Sequence, residues 1–129
     1  MVVRITINVL RVAALLALIL GILDWVGYPF GSILIHMLLG FIVVFALWIL
    51  GGVMLTRKGG AGLGIGAIVL GLLVLALGLT QQQILPDPNP AHWVIQVVHL
   101  LFGLSAIGIG EMIGGRIRHQ QRVATMQTR

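Results

Sequence analysis

ILIHMLLGFIVVFALWILGGVML, residues 33–55, carries no charged side chain from end to end. An α-helix rises about 1.5 Å per residue and a bilayer's hydrocarbon core is about 30 Å thick, so about 20 apolar residues cross it. This stretch meets that requirement, and its one ionisable group is His36. Working outward, three more stretches meet it, at roughly 7–27, 62–80 and 93–115. Polar or turn-forming sequence separates them: Tyr28-Pro29-Phe30-Gly31-Ser32, Thr56-Arg57-Lys58-Gly59-Gly60, and Gln81-Gln82-Gln83 followed by Pro86-Asp87-Pro88-Asn89-Pro90. Pro and Gly punctuate helices at such places. The composition agrees. Of 129 residues 59% are hydrophobic and 9% charged, against about 25% charged in soluble domains. The expected fold is all-α, a polytopic four-span up-down bundle forming one membrane domain.

In a soluble protein the formal charge of +5 would point to nucleic acid. In a membrane chain basic residues encode orientation first. Arg4 and Arg11 precede or open the first span, Arg57 and Lys58 follow the second, and Arg116, Arg118, Arg122 and Arg129 follow the fourth. All eight positives thus fall on one side of a four-span layout, with Asp24 and Asp87 on the other. The positive-inside rule predicts a multi-pass protein of the cytoplasmic membrane with both termini in the cytoplasm. Trp25, Tyr28 and Trp93 mark the outer boundary, where amphipathic rings prefer the headgroup level. A cleavable signal peptide over residues 1–24 is disfavoured, since no small-x-small site precedes Asp24 and its removal would break the charge pattern. The basic tail, 116–129, serves orientation and attraction to anionic lipid, not nucleic-acid binding. With no Cys, disulfides, Cys-ligated zinc, iron–sulfur clusters and c-type haem attachment are excluded.

The chain repeats internally. A shift of 63 residues aligns Asp24 with Asp87, His36 with His99, Leu38 with Leu101, Gly40 with Gly103, Gly51 with Gly114 and Gly52 with Gly115. It predicts two similar helical hairpins, about 7–55 and about 62–115, related by an axis along the membrane normal.

His36 and His99 each lie about one turn from the outer end of a span, and ionisable groups inside a membrane are functional candidates by default. The second and fourth spans run in the same direction, so the two imidazoles arrive at one depth. In an up-down bundle these spans are diagonal neighbours, expected roughly 12–14 Å apart from adjacent spacings of 8–10 Å. That gap suits a His–metal–His sandwich across a flat macrocycle better than direct contact. Each His has Gly at i+4 on the same face, Gly40 and Gly103. On the fourth span small residues continue through Ala106 and Gly110, so the His99 face reads as a groove for a planar ligand. The residues alone leave three readings: haem ligation, a chlorophyll-type pigment or other ligand, and a structural polar contact between helices.

With His36-x-x-x-Gly40 and His99-x-x-x-Gly103 set in four spans, the layout resembles the small membrane b-type cytochromes, helical bundles that hold non-covalent haem between His residues on different helices. The resemblance implies electron transfer and one haem b near the outer leaflet, with His36 and His99 as axial and metal ligands. Two-haem members carry two His pairs, whereas one intramembrane pair is present here. No Arg or Lys lies on the outer side to meet haem propionates, which leaves His92, Asn89, Tyr28, backbone donors or water.

Other polar residues read more plainly. His92 is expected to be a wet boundary residue, His119 a solvated part of the tail, and Gln96 a hydrogen-bonding partner for a neighbouring helix. Glu111, about 18 Å deeper than His99 along the helix, is expected to pair with Arg57, Lys58 or Arg116. Gly60/Gly64 and Gly62/Gly66 form overlapping GxxxG pairs, a packing face within the bundle or toward another subunit. No nucleophile–base pair, carboxylate dyad or hydrolase motif is present, so an electron carrier or accessory subunit is favoured over an enzyme. The alternative to a cytochrome is a non-catalytic small subunit, binding no cofactor, of a larger membrane complex or a homo-oligomer joined through glycine faces.

Overall fold

The computed structural model describes residues 1–28 and 33–127. The turn residues Pro29 to Ser32, and Arg129 of the tail, lie outside them. All regular structure among the described residues is helical: α1 (Val2–Trp25), α2 (Ile33–Leu55), α3 (Ala61–Ile84) and α4 (His92–Gln127). All four helices are long and apolar enough to cross a membrane, and the chain is a multi-pass membrane protein.

The helix ends follow local chemistry and extend past the sequence expectation in three places. α1 starts at Val2, so Arg4 and Arg11 lie inside it. It stops at a turn in which Gly27 takes φ +80°, a conformation costly for residues with a Cβ. α3 runs through Gln81–Gln83 to Ile84, because nothing breaks it until Leu85, which adopts φ −137° before Pro86 as a pre-proline residue prefers. α4 continues through Gly114-Gly115 to Gln127, since no proline or positive-φ glycine interrupts the Arg- and Gln-rich tail. At 36 residues it is about 54 Å long, well beyond a bilayer core.

The interhelical contacts are compatible with an up-and-down arrangement. Between α2 and α3, a Cβ at Gly51 would sit 2.9 Å from the Gly64 carbonyl oxygen, and one at Gly64 would sit 2.8 Å from that of Gly51. Two backbones touch there because neither residue has a side chain, as small residues permit in membranes. Further along, Trp48 Nε1 donates to the Ile68 carbonyl at 3.1 Å and its indole lies over Gly71. Between α1 and α4, Leu10 packs on Gly110 and Ile7 on Gly114. Gly60 and Gly64 are thus packed against α2, whereas a Cβ on Gly62 or Gly66 would meet nothing within 4 Å.

The diagonal differs from expectation. α2 and α4 approach within 8 Å between backbones, while α1 and α3 do not among the described residues. Leu50 of α2 reaches Gly110 of α4. With no side chain at Gly110 and a methyl at Ala106, the two helices close together instead of standing 12–14 Å apart.

Burial divides the bundle into two halves. The terminal half, nearest the chain ends, contains Leu10, Leu47 and Leu50 at 0% exposure, with Met54, Ile113 and Ile117 beside them. The loop half comprises 15–25, 33–42, 75–84 and 96–105, and no described residue in these ranges is buried. Large apolar side chains such as Leu34, Leu38 and Leu101 point outward there. Beyond 96–105, at the edge of this half, only His92 and Ile95 are buried. Both histidines of interest lie in the loop half.

Candidate cofactor site between the second and fourth helices

His36 sits in the first turn of α2, and its ring crosses to α1, where Nδ1 lies 2.8 Å from the Ala17 carbonyl oxygen. A carbonyl only accepts, so Nδ1 carries a proton; in the neutral ring Nε2 then holds the lone pair. That carbonyl is accessible because of Gly21, one turn on. A helical Cβ leans back over the preceding turn, and one at Gly21 would stand 3.1 Å from His36 Cε1. A neutral imidazole with Nδ1–H given to a backbone carbonyl is the arrangement in which protein histidines present Nε2 to metals.

His99 of α4 meets α3 in a related way: a Cβ at Gly78 would lie 3.3 Å from its Cε1. The hydrogen bonding differs. His99 Nδ1 is buried and has no partner.

The two rings face one another with centroids 6.2 Å apart and planes inclined by 55°. A ring nitrogen lies about 1 Å from its ring centre, so nitrogens across this gap come no closer than about 4 Å, too far for a hydrogen bond. Two metal–imidazole bonds of about 2 Å each span that distance. The donor set is two imidazoles, and the described residues contain no group of three His, Cys, Asp or Glu that could hold an ion. Zinc sites almost always have four ligands, at least three of them from protein. A metal whose remaining positions are filled by a macrocycle needs two.

Of the other residues expected to line a ligand, Gly40 and Gly103 border open space, where an added Cβ would meet nothing within 4 Å. Ala106 and Gly110 do not. Ala106 is wholly buried, and a Cβ at Gly110 would strike Leu10 at 2.9 Å and reach Leu50 at 3.8 Å. These positions belong to the closed core of the terminal half, so the small-residue groove ends between Gly103 and Ala106.

The aligned glycines have matching surroundings. Gly40 and Gly103 are open, Gly51 and Gly114 are packed against a neighbouring helix, and Gly52 and Gly115 are open again.

Two further expectations are corrected. His92 is buried, with its Nδ1 against the Leu85 carbonyl, because the α3–α4 connection folds back over the start of α4. Asn89 is also engaged locally, its Oδ1 accepting from the Ala91 N–H at 2.8 Å. Glu111 pairs with Arg11, not with Arg57, Lys58 or Arg116. Arg11 Nε lies 2.5 Å from Oε1 and Nη2 2.7 Å from Oε2, because the Leu10–Gly110 and Ile7–Gly114 contacts bring position 11 opposite 111. Both side chains are partly exposed, 48% and 36%. His119 is exposed and Gln96 half-buried. The residues not anticipated are Ala17, Gly21 and Gly78. Their one signal was a glycine in each partner helix near the depth of a histidine. Comparison with protein-family models, with curated proteins and with solved structures returns no match.

Proposed function

We propose that the chain is a membrane b-type cytochrome holding one haem between α2 and α4 in the loop half, with His36 and His99 as the axial pair. The supporting observation is the ring separation of 6.2 Å, with His36 Nδ1 engaged by the Ala17 carbonyl. Imidazole suits iron, whereas magnesium prefers oxygen ligands, which favours haem over a chlorophyll-type pigment. Gly40 and Gly103 border open space, and no described residue of 33–42 or 96–105 is buried, which is the looseness this reading asks of the loop half. When bound, haem supplies a reversible one-electron couple. The protein's part is to hold and orient the two imidazoles. The positive-inside rule favours cytoplasmic termini for basic residues clustered at the other end, and on that reading the site belongs to the outer leaflet of the cytoplasmic membrane.

The test is an absorption spectrum of protein purified after haem-supplemented expression. A red preparation with a reversible b-type reduced-minus-oxidised difference is expected, and most of that six-coordinate signature is lost in His36→Ala and in His99→Ala. A colourless preparation overturns the reading. A second reading, a cofactor-free accessory subunit, draws support from Gly62 and Gly66, which leave an open small-residue face on α3. It expects a colourless protein that co-purifies with defined membrane partners in mild detergent.

A further inference from the structure

We infer that the two histidines are unequal and that His99 is the exchangeable one, giving way on the α4 side to a small diatomic ligand of the carbon monoxide class. The inference rests on the haem reading above and adds to it. His36 is fixed twice: its Nδ1–H is held by the Ala17 carbonyl at 2.8 Å, and its ring edge lies over Gly21, where an added Cβ would stand 3.1 Å from Cε1. His99 has the corresponding seat on Gly78, but its Nδ1 is buried without a partner. Outer-shell hydrogen bonds fix the orientation of a ligating imidazole and raise its basicity, and their loss commonly weakens a metal site about 10–100-fold. His99 lacks that support. Its bound position also keeps a buried polar atom unsatisfied. Open space at Gly103 adjoins the place the ring would leave. In the exchange one imidazole–iron bond breaks and one bond forms from the diatomic's carbon lone pair, with no electron or proton transferred.

The experiment exposes the full-length, haem-loaded protein to carbon monoxide after dithionite reduction, beside His36→Ala, His99→Ala and Gly78→Ala, with helical content checked by circular dichroism. The wild type is expected to take up carbon monoxide slowly, in a step limited by loss of His99. His99→Ala keeps its haem and reacts at least about tenfold faster, and His36→Ala loses haem about tenfold or more, following the outer-shell scale above. Gly78→Ala, which presses on the His99 ring without removing it, accelerates uptake several-fold and guards against misfolding of the larger truncation. A red wild type that is inert to saturating carbon monoxide overturns the inference alone. So do His36→Ala and His99→Ala variants that lose haem equally. A colourless wild type overturns the haem reading and this inference together.

Discussion

A cross-section through Leu50 is filled: Leu10 comes from α1, Leu47 and Leu50 from α2, and Ile113 from α4, all shut off from the surroundings. Towards the loops, a section through His36 and His99 contains two tilted rings, two seating glycines, and leucines pointing away from the bundle. The helices are the same four and the composition is similarly apolar. Side-chain size at the contacts makes the difference. Ala13, Ala14, Ala46, Gly51, Gly64, Ala67 and Gly110 draw the terminal half into contact, and in lipid close packing is what holds helices together, because lipid tails are as apolar as leucine. The loop half trades that closeness for space around polar rings.

The largest effect that tests this contrast comes from filling a backbone contact. Gly64→Val sets a side chain 2.8 Å from the Gly51 carbonyl and 2.9 Å from Leu55, and is expected to cost about 3 kcal/mol by overpacking. It should show as a large loss of thermal stability in detergent, while Gly40→Val shifts melting little. Equal losses would erase the distinction between the halves. Next, Leu50→Ala leaves a cavity and should cost on the order of 2 kcal/mol, the low end for leucine because lipid removes much of the transfer contribution. Leu38→Ala, at a position 55% exposed, should stay within about 0.5 kcal/mol. Denaturant titration in mixed micelles compares the two.

Gly40→Leu sharpens the contrast from the other side. It should leave the haem-free protein as stable as before but weaken haem binding about tenfold, equivalent to about 1.4 kcal/mol, as read by spectroscopic titration. Trp48→Phe removes the indole N–H bond to Ile68 and should cost about 1 kcal/mol. The smallest effect is expected from Arg11→Gln, whose ion pair is partly exposed: a melting shift of no more than a few degrees. The same substitution in a Glu111→Gln background should then do almost nothing.

Number, type and approximate extent of the helices were legible because a stretch such as 33–55 has no other soluble or structural use. That His36 and His99 come to one level of the bundle was legible too, since the 63-residue repeat pairs them. Their surroundings were not. That Gly21 bares the Ala17 carbonyl depends on the rotation of α1 against α2, to which hydropathy is blind when a helix is apolar on every side. The partner of Glu111 was missed because charges were assigned to loops, whereas Arg11 stands inside α1. The supposed ligand groove at Ala106 and Gly110 was misjudged for a related reason. Small residues mark either a ligand's place or a neighbour's, and Leu10 and Leu50 take this one.

The Arg11–Glu111 pair also bears on how the chain is made. Arg11 emerges with the first helix, and its carboxylate partner emerges with the last. Until α4 is in place, α1 holds a guanidinium without its counter-charge in or near the hydrocarbon, where such charges are disfavoured. The bidentate pair thus fastens the first helix to the last across 100 positions of sequence.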